Sequence, residues 1–242
     1  MMITNYLLEL NLRGMLREYE QQVANSSYSK MSFDERLLSL LTEEVSFKKN
    51  ARIKRLLKSA KLRYDGATLE NIDFKASRQL DKTLINDLSN MHWVKQNQNV
   101  IITGATGTGK SWLACAFVDR ACRLGYSALY ITAKNLFENI NQAVLDGSIR
   151  KLINQLVRLN ILVIDDWCLG GVNNKLCPHL LEIVDKRSMS GSLILTTQFP
   201  IPDWFSSFDD ETIADAIIDR VLHNSHDIAL KGPSLRRRNR VS

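Results

Sequence analysis

The stretch "GATGTGKS", residues 104–111, sets three glycines, a lysine and a serine at the spacing G-x-x-x-x-G-K-[ST]. Glycines at Gly104, Gly107 and Gly109 let a short loop bend until its amides converge on phosphate oxygens, with the positive end of a following helix adding to the field. Ala105, Thr106, Thr108 and Trp112 complete the stretch expected to line a bound nucleotide. Lys110 is placed to reach the outer phosphates, and the Ser111 hydroxyl to ligate Mg2+. Such a magnesium site needs a carboxylate from the end of another strand. "ILVIDDW", residues 161–167, supplies it: four apolar residues suited to a strand covered on both faces, then Asp165 and Asp166. Asp165 is the magnesium-side candidate, acting through water, and Asp166 the candidate to orient or deprotonate an attacking water. The chemistry these residues suit is hydrolysis of ATP with Mg2+ as cofactor.

Both motifs require strand ends, and the surrounding pattern provides them. Strands are expected at 99–103, 127–132, 161–165, 192–197 and 226–231, with helices at 110–124, within 134–159, at 175–189 and at 211–223. This alternation predicts an α/β domain with a five-stranded, mostly parallel sheet, whose ligands lie beyond the carboxyl ends of the strands. A helix over 77–93 opens the domain, and turn residues in "YDGATLENIDF" mark a linker before it. The expected organisation is a small all-helical domain over 1–64, a linker over 65–76, and an ATPase domain over 77–242.

In the first segment Leu8, Leu12, Met15, Leu16, Tyr19 and Val23 recur at helical spacing, as one buried face requires. Ser32 and Glu35 have the form of a capping box, after which Leu37, Leu38, Leu41 and Val45 continue a buried stripe. Residues 45–64 then hold eight Lys or Arg and no acid. On a helix, Ile53, Leu56, Leu57 and Ala60 share one face. Lys48, Arg52 and Arg55 line one flank, Lys54, Lys58 and Lys61 another, and Lys49 adds to the block. A solvated basic face is one reading. The lack of any compensating acid favours the other, a surface for DNA phosphates, since like charges one turn apart repel unless something offsets them.

The bulk numbers fit this picture without naming it. The 242 residues are 45% hydrophobic and 24% charged with a net charge of +6, an ordinary globular composition on a basic chain. Cys115, Cys122, Cys168 and Cys177 form no C-x-x-C pair, which argues against a zinc knuckle or a disulfide framework and for buried thiols. No run of about 18 apolar residues occurs and the start lacks a signal-peptide pattern, so the expectation is a cytoplasmic protein without a membrane partner.

With both phosphate motifs in view, the chain resembles the AAA+ ATPases of the DnaC and IstB group, and closely the IstB-like helper ATPases encoded beside the transposase in bacterial insertion sequences. The stretch "TIADAIIDRVLHNSHDIALKGPSLRRR" (212–238) is similar to a block of that family, as is "MSFDERLL" (31–38). The resemblance implies that Arg220 is an arginine finger entering a neighbouring subunit's site, that Arg236 is a sensor-2-like arginine touching the γ-phosphate, and that Thr197 sits at sensor 1, with Gln198 as the alternative. It implies a homo-oligomer on double-stranded DNA without sequence preference, and a cognate transposase as partner. Asp166 stands where most AAA+ proteins have Glu, although the IstB-like group itself commonly has Asp there. The shorter carboxylate implies slow hydrolysis, and the DNA partner implies that DNA stimulates it. The chain ends about ten residues after the last expected strand, which implies that the helical lid is largely absent. Three alternatives stand beside this reading: a DnaC-like loader acting on a helicase and single-stranded DNA, a nucleotide-gated binding protein with little hydrolysis, and a small-molecule kinase.

Overall fold

The computed structural model describes residues 2–74 and 79–235. Arg236 and the basic tail "RRRNR" therefore lie outside the described residues, as do 77 and 78 at the start of the expected helix. The chain divides into two compact units, Met1–Arg55 and Leu56–Ser242.

The first unit is helical: α1 (Met2–Glu9), α2 (Arg13–Ala24) and the larger part of α3 (Phe33–Ala60). Asn11, in the left-handed region at φ 55°, separates α1 from α2. The capping box forms at the head of α3, with the Ser32 amide donating to Glu35 Oε2 and the Glu35 amide to Ser32 Oγ. The expected apolar faces, however, are not the buried ones. Leu8, Val23, Leu38, Leu41 and Val45 are exposed, Val23 and Val45 at 67% and 68%. α2 meets α3 instead through a polar stripe one turn apart, Gly14, Glu18 and Gln22. Glu44 accepts from the amides of Gly14 and Met15, Ser39 donates to Glu18, and Gln22 bonds to Arg36. Gly14 permits this approach, because a Cβ there would lie 2.7 Å from the Glu44 backbone. The carboxylate of Glu44 thus satisfies free amides at the head of α2, where a helix favours negative charge.

The boundary between units falls inside α3 rather than at residue 64. Its last turn belongs to the second unit, with Ala60 fully buried in that core and Leu56 and Leu57 packed against it. The segment expected as a linker also contributes to this core, burying Ala67 and Ile72 around a short 3-10 turn at Leu69–Asn71. The helix expected over 77–93 is shorter and broken. α4 spans Lys82–Ser89, Met91 takes a left-handed conformation, and α5 spans His92–Lys95.

The strands are β1 (Asn99–Gly104), β2 (Ala128–Thr132), β3 (Ile161–Asp165), β4 (Ser192–Thr197) and β5 (Ser225–Leu230). They form one sheet of order β2-β3-β4-β1-β5 with every pairing parallel. Between them run α6 (Lys110–Arg123), α7 (Ala133–Leu145), α8 (Ile149–Val157), α9 (Cys177–Ser188) and α10 (Glu211–Leu222). Alternation along each strand splits the core. Val100, Ile102, Ile161 and Val163 face α6, whereas Ile101, Leu162, Ile164 and Leu195 face α7 to α10. A strand apolar on both faces needs cover on both, which is why the central strands read as continuous apolar runs. All four cysteines are free and buried.

Candidate functional site

The phosphate-loop residues leave the carboxyl end of β1 and enter α6 through Gly109, at φ 99°, a conformation that glycine adopts without steric cost. Lys110 is almost buried, and its Nζ donates to the carbonyls of Gly104 (2.8 Å) and Ala105 (3.1 Å). Thr108 Oγ1 donates to Ala105 O (2.8 Å), closing the loop from within. Gly107, at φ 83°, faces the segment after β5. The Leu235 amide donates to its carbonyl across 2.9 Å, and a Cβ on Gly107 would meet Ser234 Oγ at 2.1 Å.

Asp165 is fully buried at the tip of β3, and both of its oxygens are engaged. Oδ1 accepts from Ser111 Oγ at 2.8 Å and from Thr196 Oγ1. Oδ2 accepts from the Tyr130 hydroxyl and from Arg63, whose Nη1 lies at 3.3 Å. A carboxylate buried this deeply requires such partners. Burial, with the carboxylate beside it, pushes the Tyr130 phenol well above its usual range, so it donates as a neutral hydroxyl. Its hydrogen bond with Arg63 in turn raises that guanidinium further, against the opposing effect of burial.

The strand order explains the role of Thr196. β3 does not adjoin β1, because β4 runs between them, and a β4 side chain bridges the gap. Thr196 Oγ1 also accepts from the Asp166 amide at 3.2 Å. Asp166 itself adopts φ 58°, which Asp tolerates better than most residues. That turn separates the paired acids, leaving Asp165 beneath the site while Asp166 lines a cleft of about 340 Å³ with Lys110, Ser111 and Gln198.

Thr197 is fully buried, and its hydroxyl donates to the Trp167 carbonyl (3.0 Å) and accepts from the Phe199 amide. Its neighbour Gln198 lines the cleft and accepts from Thr106 Oγ1 at 2.8 Å. Arg220 is in the last turn of α10, donating to Asp185 (2.6 Å) and to the Ala216 carbonyl. α10 ends just before β5 begins, opposite Asn99 at the start of β1. Arg220 therefore lies at the amino-terminal end of the sheet, about 17 Å of strand away from its own phosphate loop. Lys48, Lys49, Arg52, Lys54 and Arg55 are exposed on the first unit, with Lys48 paired to Glu44 at 3.1 Å; Lys58 and Lys61 are exposed on the second.

Four contributors escape sequence reasoning: Arg63, Tyr130 and Thr196 around Asp165, and Tyr64, which lines the cleft beside Trp112 and Leu235. Arg63 reads as one more cation in a basic run and Tyr130 as an ordinary strand aromatic. Only the strand order brings Thr196 to the paired acids.

A magnesium nucleotide fits these residues. Among the described residues no group of three or more His, Cys, Asp or Glu is assembled to cage a metal. Mg2+ beside a nucleotide takes few protein ligands and completes its shell with water and phosphate oxygens, for which Ser111 and Asp165 are suitably joined.

The chain is similar to known proteins in sequence and in fold. Residues 5–242 match the family described as IstB-like ATP binding protein. An ATP-binding protein of the insertion sequence IS1162 from Pseudomonas fluorescens is 42% identical over 194 residues, 80% of this chain and 84% of that one. The insertion sequence ATP-binding protein y4uH of Sinorhizobium fredii is 36% identical over 96% of this chain and 94% of its own. In three dimensions the DnaC helicase loader superposes with a TM-score of 0.59 at 18% identity, over 70% of this chain and 99% of that one. AMPPCP-bound DnaA from Aquifex aeolicus gives 0.58 at 17%, over 69% of this chain and 51% of that one. The likeness to these two is one of fold, an AAA+ phosphate-loop domain, whereas the sequence match runs nearly end to end: the chain belongs to the family of IstB-like ATP-binding proteins of insertion sequences.

Proposed function

We propose that the protein is a magnesium-dependent ATPase that assembles head to tail on double-stranded DNA and helps its cognate transposase engage a target. The observation that carries this reading is the junction of Ser111 with Asp165, with Lys110 and Asp166 in the adjoining cleft. Lys110 holds the outer phosphates, the loop amides orient them, and Asp165 keeps the Ser111 hydroxyl directed at the magnesium position. Mg2+, when bound, supplies charge neutralisation between the phosphates. Asp166 accepts the proton of the attacking water or orients it. As an Asp where a Glu would reach further it does so less well, and misplacement by ~1 Å costs ~100-fold, so hydrolysis is slow. Gln198, at the cleft, is the better placed of the two sensor 1 candidates, because the Thr197 hydroxyl serves the strand end. Arg236 follows Leu235, whose amide contacts the phosphate loop, which supports a role for it at the γ-phosphate.

The position of Arg220 supports the oligomer. Set at the far end of the sheet from its own loop, it is available to complete the site of the next subunit, where a planar cation is worth about 10³ to 10⁵ in rate. The six exposed cations of α3 together with Lys61, in a run without acids, support binding to the DNA backbone rather than to base edges.

Turnover is to be measured without DNA, with long duplex and with single strands, for wild type and Lys110→Ala. Stimulation by duplex supports the proposal, and preference for single strands would transfer it to helicase loading. Mixing Arg220→Ala with Lys110→Ala subunits should restore part of the activity; no recovery at any ratio removes the shared site.

A further inference from the structure

Beside the edge strand β2 lies a recess of about 600 Å³ whose polar lining is Lys61, Arg63, Tyr130, Thr132, two asparagines and Glu138. Two of these side chains, an ammonium and a guanidinium, are cations that can only donate, and the two hydroxyls and two amides can donate as well as accept. Glu138, the one acid, extends toward Lys134 at 3.9 Å. The recess thus has the chemistry of an anion site, and it opens beside the last cations of the basic run.

Arg63 belongs both to this recess and to the phosphate site. One guanidinium nitrogen is 3.3 Å from the wholly buried Asp165, yet the side chain is 42% exposed. A half-exposed arginine contributes little to stability through one ion pair. Nor is it needed to hold Asp165, which Ser111, Thr196 and Tyr130 already fix. What Arg63 does add is positive charge next to the carboxylate that faces the magnesium position, where it opposes a divalent cation.

We propose that the recess binds a backbone phosphate of DNA and that Arg63 carries its occupancy to the magnesium site. A phosphate in the recess draws the guanidinium fork outward, since it offers bidentate acceptors that Asp165 Oδ2 does not. Asp165 stays in place through its three other donors, and its field toward Mg2+ strengthens. DNA thereby tightens Mg2+ and the nucleotide with it. This rests on the reading of the protein as a DNA-binding ATPase, and it names the residue that joins the two activities.

The test is a Mg2+ titration of binding of a fluorescent ATP analogue to the full chain, with and without a short duplex, while anisotropy of labelled duplex reports DNA binding separately. In wild type, duplex should lower the half-saturating Mg2+. Without DNA, Arg63→Gln should lower it roughly tenfold, the effect of removing one charge within several Å in a watery site. Duplex should then shift it no further. Arg63→Lys, which keeps the charge, should stay nearer wild type than the Gln variant. The proposal is overturned if duplex binds wild type and leaves its Mg2+ dependence unchanged, an outcome that needs no variant, or if Arg63→Gln titrates like wild type or more weakly. Failure of wild type to bind duplex overturns the DNA reading itself, and the DNA-free titrations distinguish that failure from one of Arg63.

Discussion

Ser111 Oγ donates to Asp165 Oδ1 across 2.8 Å, tying the first turn of α6 to the tip of β3 over the intervening strand β4. The tie holds because β4 places Thr196 on the same oxygen, where its hydroxyl also receives the Asp166 amide. Thr196→Val keeps the shape and removes both contacts. Loss of a hydrogen bond to a buried charge costs about 1.5–3 kcal/mol of stability, and turnover should fall roughly tenfold or more. Denaturant unfolding and steady-state ATP hydrolysis check this, with Thr196→Ser expected to retain most of both.

Gly107 makes room for the chain beyond β5. Gly107→Ala would place a methyl group 2.1 Å from Ser234 Oγ at a backbone angle that L residues rarely adopt. Nucleotide affinity should fall by more than about tenfold, since the left-handed conformation alone costs ~1–2 kcal/mol. Adding Ser234→Gly should relieve only the steric part, as equilibrium binding of a fluorescent nucleotide would reveal.

Acid should loosen the contact of α2 with α3. Burial pushes the Glu44 carboxyl up, but the amides of Met15 and Gly14 and the Lys48 ammonium prevail and hold it below its ordinary 4.5. A depressed acid adds stability above its unfolded value that disappears as pH falls through the folded one. Glu44→Gln should therefore destabilise near neutral pH by ~1–2 kcal/mol and flatten the acid limb below about pH 4.5. Circular dichroism melts of the full chain from pH 7 to 3 provide the measurement.

The thiols should be silent in the native protein. Burial raises Cys122 to about 11 and Cys168 to about 12, and pushes Cys115 and Cys177 up as well. Without thiolate there is little nucleophile. Alkylation at neutral pH followed by intact-mass analysis should find no adducts until denaturant is added, when all four react.

The phosphate loop and the paired acids are legible because each combines fixed residue types with an apolar strand that can lie in only one kind of sheet. The apolar period of the first unit does not mark its buried face, for a physical reason. Leu38, Leu41 and Val45 have helical period, but period identifies a face and not what covers it. Gly14, Glu18 and Gln22 recur at the same spacing, and it is the glycine that lets this stripe come closest. Arg63, Tyr130 and Thr196 converge on Asp165 from three separate elements, and their convergence depends on a strand order that local pattern does not encode.

Arg220 and Lys110 stand at opposite ends of one parallel sheet, so the chain has unlike poles. Copies joined pole to pole cannot pair as symmetric twins: the chain of contacts either closes on itself or continues as a spiral. An open array of that kind would have distinguishable tips, one presenting the nucleotide cleft and the other the Arg220 end of the sheet. In the assembly proposed above, growth and loss at those tips would proceed at different speeds, giving the array a direction along the DNA it coats.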